Sequence, residues 1–235
     1  MNDLYSAFAE AFNLIVGFDS DLVEIVGLSL YVTLSAVSIS CLVGFPIGAL
    51  LAIGRFPGRG SLIILVNSLM GLPPVVVGLV VYLLLSNSGP LGVLGLLYTP
   101  TAMVIAQTIL VTPIVIALSC QVIQDLHLEY DELLRSMDAN RLDTLTTLLW
   151  DARYSLTTAA LAGMGRALAE VGAVMIVGGN INHVTRVMTT AIALETSKGE
   201  LALALGLGIV LVLLSILING TLMSLKSSME RVSYA

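Results

Sequence analysis

Arg166 and Glu170 are the only Asp, Glu, Lys or Arg residues between Arg153 and Arg186, and they stand four positions apart. On a helix that spacing puts both on one face. Left alone in hydrocarbon, either charge would cost roughly 2.5–3.5 kcal/mol on insertion scales. The pair reads in two ways: a structural stitch inside a helix bundle, or a polar element of a translocation path or gate. Nothing else in the chain supplies a reaction. His127 and His183 are the two histidines, and Cys41 and Cys120 the two cysteines. The cysteines lie far apart inside apolar runs, without metal-ligand spacing. No nucleophile–base pair is visible. No Gly-x-x-x-x-Gly-Lys-Ser/Thr loop is present, so ATP has no phosphate loop here. The expectation is no catalytic residue, no metal site and no bound cofactor. Asn67, Ser68, Gln107, Thr108 and Thr112 are sparse polar groups in apolar segments. They suit either a path lining or helix–helix hydrogen bonds.

The elements that must position these residues follow from charge placement. Of the 235 residues, 57% are hydrophobic and 11% charged, against roughly 25% charged in a soluble domain. Mean hydropathy is +0.99. Lipid must surround much of such a chain. The net charge of −6 excludes a nucleic-acid partner, which needs a basic face. Residues 25–54, 60–124 and 201–225 carry no charge. A membrane helix takes about 20 apolar residues, so 60–124 holds two, separated at Ser86-Asn87-Ser88-Gly89-Pro90. An all-α membrane protein is expected, with five spans at about 24–53, 61–85, 100–124, 155–178 and 201–225. Pro46, Pro73, Pro74 and Pro113 fall inside three of them. Each proline removes a helix hydrogen bond and kinks the backbone, which membranes tolerate where protein or a wet cavity receives it. Pro73 and Pro74 are therefore path or gate candidates, with Asn67, Thr112, Arg166 and Glu170.

Five spans put Arg55 and Arg59, the loop 125–154 and the 226–235 tail on one side. That side holds seven of the ten Lys and Arg residues, and the opposite side only Arg186 and Lys198. Positive residues mark the cytoplasm, so the C-terminus is expected inside and the N-terminus outside an inner (plasma) membrane. Residues 1–24 have no Lys or Arg, unlike a signal peptide. Residues 1–21 read as an extracytoplasmic or interfacial segment, with 4–18 as a short helix lying on the membrane. Residues 22–225 then form one transmembrane domain.

The polar stretch 125–154 is too long for a simple connection. It holds seven acids and three bases. Leu133 and Met137 stand four apart, and Leu142, Leu145 and Leu149 follow at helical spacing. Asn140 suits an N-cap, with Asp143 three residues on near the new helix's positive end. Two short helices are expected, presenting a knob around Leu134 and Met137 to a soluble partner.

This loop resembles the cytoplasmic loop of ATP-binding-cassette (ABC) importer permeases, in which a Glu-Ala-Ala element precedes a Gly. Glu132-Leu133-Leu134 stands at the Glu-Ala-Ala position and Asp138 where the family has Gly. Leucines replace the alanines, and the family's closing proline is missing around Trp150-Asp151. Arg55-Phe56-Pro57-Gly58-Arg59 and Gly71-Leu72-Pro73-Pro74-Val75-Val76-Val77-Gly78 resemble segments of the molybdate/sulfate/tungstate group. So do Gly165-Arg166-Ala167-Leu168-Ala169-Glu170-Val171-Gly172 and Thr189-Thr190-Ala191-Ile192-Ala193-Leu194-Glu195.

The resemblance, closest to tungstate permeases, implies the type I ABC importer permease fold. It implies a homodimer of permeases, two cytoplasmic ATPase subunits that bind the ATP, and an extracytoplasmic substrate-binding protein. It gives Glu132, Leu134, Met137, Asp138, Ala139 and Arg141 the role of coupling to the ATPase. Gly179, Asn180 and Arg186 would meet the binding protein. Molybdate and sulfate are alternative cargoes. An ion-driven secondary transporter would need further intramembrane ionisable groups and internal repeats, and the sequence holds one such pair and no repeat.

Overall fold

The computed structural model describes residues 20–233, with Leu222 and residues 225–233 by backbone alone, and before them only positions 5, 6, 8, 9, 12 and 17. The interfacial helix expected over residues 4–18, the N-terminal segment to which it belongs and the side chains of the 226–235 tail lie outside the described residues. The described elements are α1 (Ser20–Ile53), α2 (Arg59–Leu69), α3 (Pro74–Leu85), α4 (Pro100–Ser136), α5 (Arg141–Asp151), α6 (Arg153–Leu168), α7 (Gly172–Gly178), α8 (Met188–Lys198) and α9 (Leu201–Ser233), with a 3-10 turn at Gly92–Leu94. No strand occurs among the described residues.

Helices α1, α4 and α9 are each long and apolar enough to cross a membrane. Two bent pairs, α2 with α3 and α6 with α7, raise the number of candidate spans to five. The span expected at 61–85 is broken at the two prolines expected to kink it, and the span expected at 155–178 is broken where no proline was present to suggest it. The α2–α3 pair is bent by 97°. Pro74 is the cause: its ring forces the preceding Pro73 out of the helical region, to φ −65 and ψ 122. Pro74 then occupies the first turn of α3, where its missing N–H costs nothing. The α6–α7 pair is bent by 60° and contains no proline; its cause lies in side chains described below. Helices α2 and α3 have 11 and 12 residues, about 17 Å each, so neither crosses a bilayer alone.

The chain forms two compact units. The first comprises the chain up to Ala36, Pro73–Gln107 and Gly165–Thr221, and the second Val37–Leu72, Thr108–Met164 and the chain from Leu222. In the first unit α3 packs against α7. Close approach depends on Gly78, where a Cβ would lie 2.8 Å from the Ala173 Cα. Buried Met103, Val174, Val177 and Met188 fill this unit, and Leu22, Ala191 and Leu207 form a further cluster in it.

In the second unit, the end of α1 meets α4 along a seam of small residues. Ser40, Gly44 and Gly48 recur every fourth position on α1. Helices in lipid associate through such close backbone approach and interhelical hydroxyl bonds. Thr112 Oγ1 stands 3.2 Å from Ser40 Oγ, and Ser40 Oγ donates to the Thr108 carbonyl at 3.4 Å. A Cβ on Gly44 would meet Val115 at 2.8 Å, and one on Gly48 would meet the Ile116 carbonyl at 2.8 Å. Below the seam Ala49, Ile123, Leu134, Leu148 and Ala152 form the unit's core. Arg59 closes the end of α1, its Nε donating to the Leu51 carbonyl at 2.6 Å and Nη2 to Ala52 at 3.1 Å. A cation there also complements the helix dipole.

Gly48→Ala should lower the thermal unfolding midpoint of the detergent-solubilised protein by the equivalent of about 1–3 kcal/mol, the penalty of an overpacked site. Gly27, on the same helix, has nothing within 4 Å of a built Cβ. Gly27→Ala should leave the midpoint unchanged or raise it by up to about 1 kcal/mol. Circular dichroism melts distinguish the two, and equal behaviour would contradict the close seam.

Candidate functional site

The polar stretch 125–154 does not begin as a loop. Helix α4 continues through residue 124 to Ser136, 37 residues in all. The first of the two expected short helices is therefore its end. Nothing between Gln121 and Ser136 breaks a helix: there is no Gly or Pro, and Glu, Leu, Gln and Arg favour one. It stops with a doubled carbonyl cap. The Ala139 N–H donates to the Leu134 carbonyl at 3.0 Å, and the Asp138 N–H to Arg135 at 3.1 Å. That six-to-one and five-to-two pattern needs a left-handed residue, and Asp138 supplies it at φ 50. The position at which the sequence carries Asp against the family's Gly is thus one that glycine fills without strain.

Two residues later the chain re-enters a helix as the sequence foretells. Asn140 accepts from the Leu142 and Asp143 N–H groups at 2.8 and 3.0 Å, and Asp143 accepts from the Asn140 N–H at 3.2 Å. This reciprocal box starts α5. The buried line of α5 is Thr144 and Leu148, continued by the C-cap Ala152, with Leu145 and Leu149 on its flanks; the expected Leu142 is 73% exposed.

The candidate coupling residues divide by burial. Glu132, Met137, Asp138 and Arg141 are exposed, whereas Leu134 is buried and Ala139 half-buried. Leu134 and Ala139 bind the turn to the core. The exposed apolar pair is Leu133 and Met137, one helical turn apart and 57% and 70% exposed. Leu133 replaces Leu134 on the accessible face. Helical phase carries the signal: from buried Ile123, steps of four and seven lead through His127 and Tyr130 to Leu134. That phase is readable only if α4 is recognised as unbroken.

In the first unit the α6–α7 break is held by polar side chains. Glu170 is 4% exposed. Its Oε1 accepts from the Ala173 N–H at 3.0 Å, as a cap on α7. Its Oε2 stands 3.8 Å from Arg166 Nη2. The Glu170 carbonyl accepts from Thr189 Oγ1 at 2.8 Å, and the Ala167 carbonyl from Gln107 Nε2 at 3.2 Å. Glu170 thus serves the broken backbone first and Arg166 second. Sequence reasoning found the pair by its spacing and missed Thr189 and Gln107 as its supports. Of the remaining path candidates, Thr112 is engaged in the α1–α4 seam, and its hydroxyl also donates to the Thr108 carbonyl at 2.7 Å. Asn67 is exposed and borders a cavity of about 220 Å³ with Gln121 and Gln124. Pro73 is exposed at the start of α3.

Gly179 and Asn180 follow α7 with left-handed backbone, at φ 71 and 49. Asn180 Nδ2 donates to the Thr190 carbonyl at 3.3 Å. Arg186 is half-buried, with its Nε enclosed and unpartnered. Beside it, His183 Nδ1 lies 2.7 Å from Glu24 Oε2. The hydrogen bond and charge of Glu24 raise the His183 pKa above its usual value. No three His, Cys, Asp or Glu side chains gather as a metal site among the described residues.

No protein-family model matches the chain. It is 38% identical over 226 residues to the tungstate uptake system permease protein TupB of Peptoclostridium acidaminophilum, covering 96% of this chain and 99% of that one. It is 41% identical over 185 residues to a probable anion ABC transporter permease protein of Haloferax volcanii, covering 77% and 80%. With the TupB permease of Campylobacter jejuni it shares 40% identity over 156 residues, 66% of this chain.

Two outcomes follow from this geometry. Asp138→Gly should raise the thermal midpoint by the equivalent of about 1 kcal/mol, by relieving left-handed strain. Asp138→Val should lower it, because a branched side chain tolerates that backbone least; a melt of each variant checks the turn. Protonated His183 gains its partner only on folding, so its contribution is complete below the unfolded value of about 6.5. It disappears as pH rises through the raised folded value. The midpoint difference between wild type and His183→Ala should therefore be largest below about pH 6 and shrink above it. A difference independent of pH would refute the pair.

Proposed function

Because this chain belongs to the permease subunits of ABC anion transporters, we propose that it forms the membrane pathway of a tungstate importer. The observation that carries the substrate is the 38% identity, across 96% of this chain, to a tungstate uptake permease. Two copies form the pathway, and two ATPase subunits bind and hydrolyse the ATP. An extracytoplasmic binding protein delivers the anion to the face bearing Gly179, Asn180 and Arg186. The protein lies in the inner membrane with its C-terminus in the cytoplasm, in accord with the distribution of Lys and Arg.

In this reading the end of α4 and the start of α5 meet the ATPase. Leu133 and Met137 form the apolar contact, while Glu132, Asp138 and Arg141 supply a polar rim that orients it. Leu134 and Ala139 contribute from within, by fixing the turn to the helix. When ATP closes the ATPase dimer, the attached turns move with it, and the broken spans reorient. No tight anion site is required. Weak polar groups such as Asn67, Gln121 and Gln124 suit passage, because a strong site would retain the cargo.

Tungstate uptake by a deletion strain carrying the Leu133→Asp, Met137→Asp variant should fall at least tenfold, with the protein still present in the membrane. Wild-type permease should co-purify with its ATPase, and the variant should not. Unchanged uptake would remove the turn from the coupling role. If deletion abolished molybdate uptake but left tungstate uptake intact, the cargo assignment would be wrong.

A further inference from the structure

The helical face opposite Leu133 and Met137 borders a groove of about 550 Å³ in the second unit. His127, Asp131 and Arg135 recur every four residues along α4 and form one wall. Arg55, after α1, and Arg141, at the start of α5, stand on the others. Asp131 is already neutralised: Arg135 reaches it twice, with Nη2 2.7 Å from Oδ2 and Nε 3.1 Å from Oδ1. His127 Nε2 stands 4.0 Å from the same carboxylate, and its Nδ1 is enclosed without a partner. Among the described residues no carboxylate lies within ion-pair distance of Arg55 or Arg141. The groove therefore holds an uncompensated positive charge.

Its apolar part is equally specific. Leu50, Phe56 and Leu142 border it and are 56%, 44% and 73% exposed. Leu50 belongs to the charge-free run 25–54, and Arg55 is the first charge after that run. The groove thus begins among residues suited to hydrocarbon and ends at arginines, so it straddles a membrane–water boundary. A second marker of such a boundary lies in the same unit. The Arg153 guanidinium stacks 4.7 Å from the Trp150 ring and 4.4 Å from that of Tyr154, a combination favoured at headgroup level. The volume suits a ligand of headgroup size.

We propose that this groove binds the phosphodiester headgroup of an anionic phospholipid, with Arg55 and Arg141 holding the phosphate and Leu50, Phe56 and Leu142 receiving an acyl chain. Arginine forks match phosphate oxygens, and basic pockets at membrane boundaries select anionic lipids. The lipid sits on the face of α4 that leaves Leu133 and Met137 free; it shares Arg141 with the rim of the proposed coupling turn and does not depend on the cargo.

The test titrates the delipidated full-length protein, in neutral detergent, with short-chain phosphatidylglycerol, short-chain phosphatidylcholine or inorganic phosphate. Thermal midpoint is the readout. Phosphatidylglycerol should stabilise at about tenfold lower concentration than phosphatidylcholine, a difference of about 1.4 kcal/mol, and inorganic phosphate should give no shift. Arg55→Gln, Arg141→Gln should abolish the preference, and Arg55→Lys, Arg141→Lys should keep part of it, since the charge stays and the fork is lost. Equal action of the two lipids, or a preference that survives the Gln variant, overturns the proposal. Phosphate acting like phosphatidylglycerol also overturns it, in favour of a free oxyanion site. Native mass spectrometry of the unmodified protein with equimolar lipids needs no variant, and equal retention of both is a second refutation. Release of bound phosphatidylglycerol by the purified ATPase would give the groove to that subunit instead.

Discussion

Hydrocarbon offers no hydrogen bonds, so each backbone amide and carbonyl of a spanning segment must find its partner within the protein. That constraint organises this molecule most visibly where helices break. Between α6 and α7, Gln107 reinforces the Ala167 carbonyl, which also accepts the Glu170 N–H, Thr189 reaches the Glu170 carbonyl, and Glu170 takes an amide at the start of α7. A buried carboxylate in a membrane span would ordinarily point to proton or ion chemistry. Here its geometry gives it a backbone duty, and Arg166 at 3.8 Å offsets its charge. The α2–α3 break uses covalent structure instead: Pro74 has no amide to satisfy, and Pro73 is held extended by its neighbour.

How much of this was legible in the sequence depends on the range of the interaction concerned. Asn140 and Asp143 gave the start of α5 correctly, because a capping box is closed within four residues. The apolar runs coincide with three helices long enough to span and with two bent pairs, since the hydrophobic requirement is a property of segments. The break at Ala169–Val171 was not legible. Glu170 caps α7 locally, but Gln107 and Thr189, which also hold the break, are distant in sequence. The end of α4 was misplaced because polarity was taken to end the helix. Polarity ends the membrane, but a helix of Glu, Leu, Gln and Arg continues into water without penalty.

The boundary of α4 also decides which leucine of its final turns is accessible. Spacing pairs Leu133 with Met137, whereas the knob was expected at Leu134 and Met137. In the continuous helix Leu133 and Leu134 lie about 100° apart, so Leu134 is buried in the core and Leu133 faces outward. Asp138 is the converse case. As a letter it departs from the family's Gly, but its φ of 50 fulfils the same conformational requirement. The small-residue seam of Ser40, Gly44 and Gly48 was open to inspection as a four-residue repeat. Its meaning depends on which helix it meets, and that is not written in the repeat itself.

Helix α4 runs unbroken for 37 residues, a rod of roughly 55 Å. Pro113, its one interior proline, lies roughly 20 Å from one end and 35 Å from the other. A rod that rocks about that point divides displacement in the ratio of its arms. A shift of about 2 Å at the Ser136 tip becomes about 1 Å, in the opposite direction, at Pro100. Such a lever would exchange amplitude for force, a large movement at the exposed tip becoming a small one at the other end. A helix beyond residue 124 makes a stiffer extension than a flexible loop over 125–154, with Pro113 as the point where one hydrogen bond is missing.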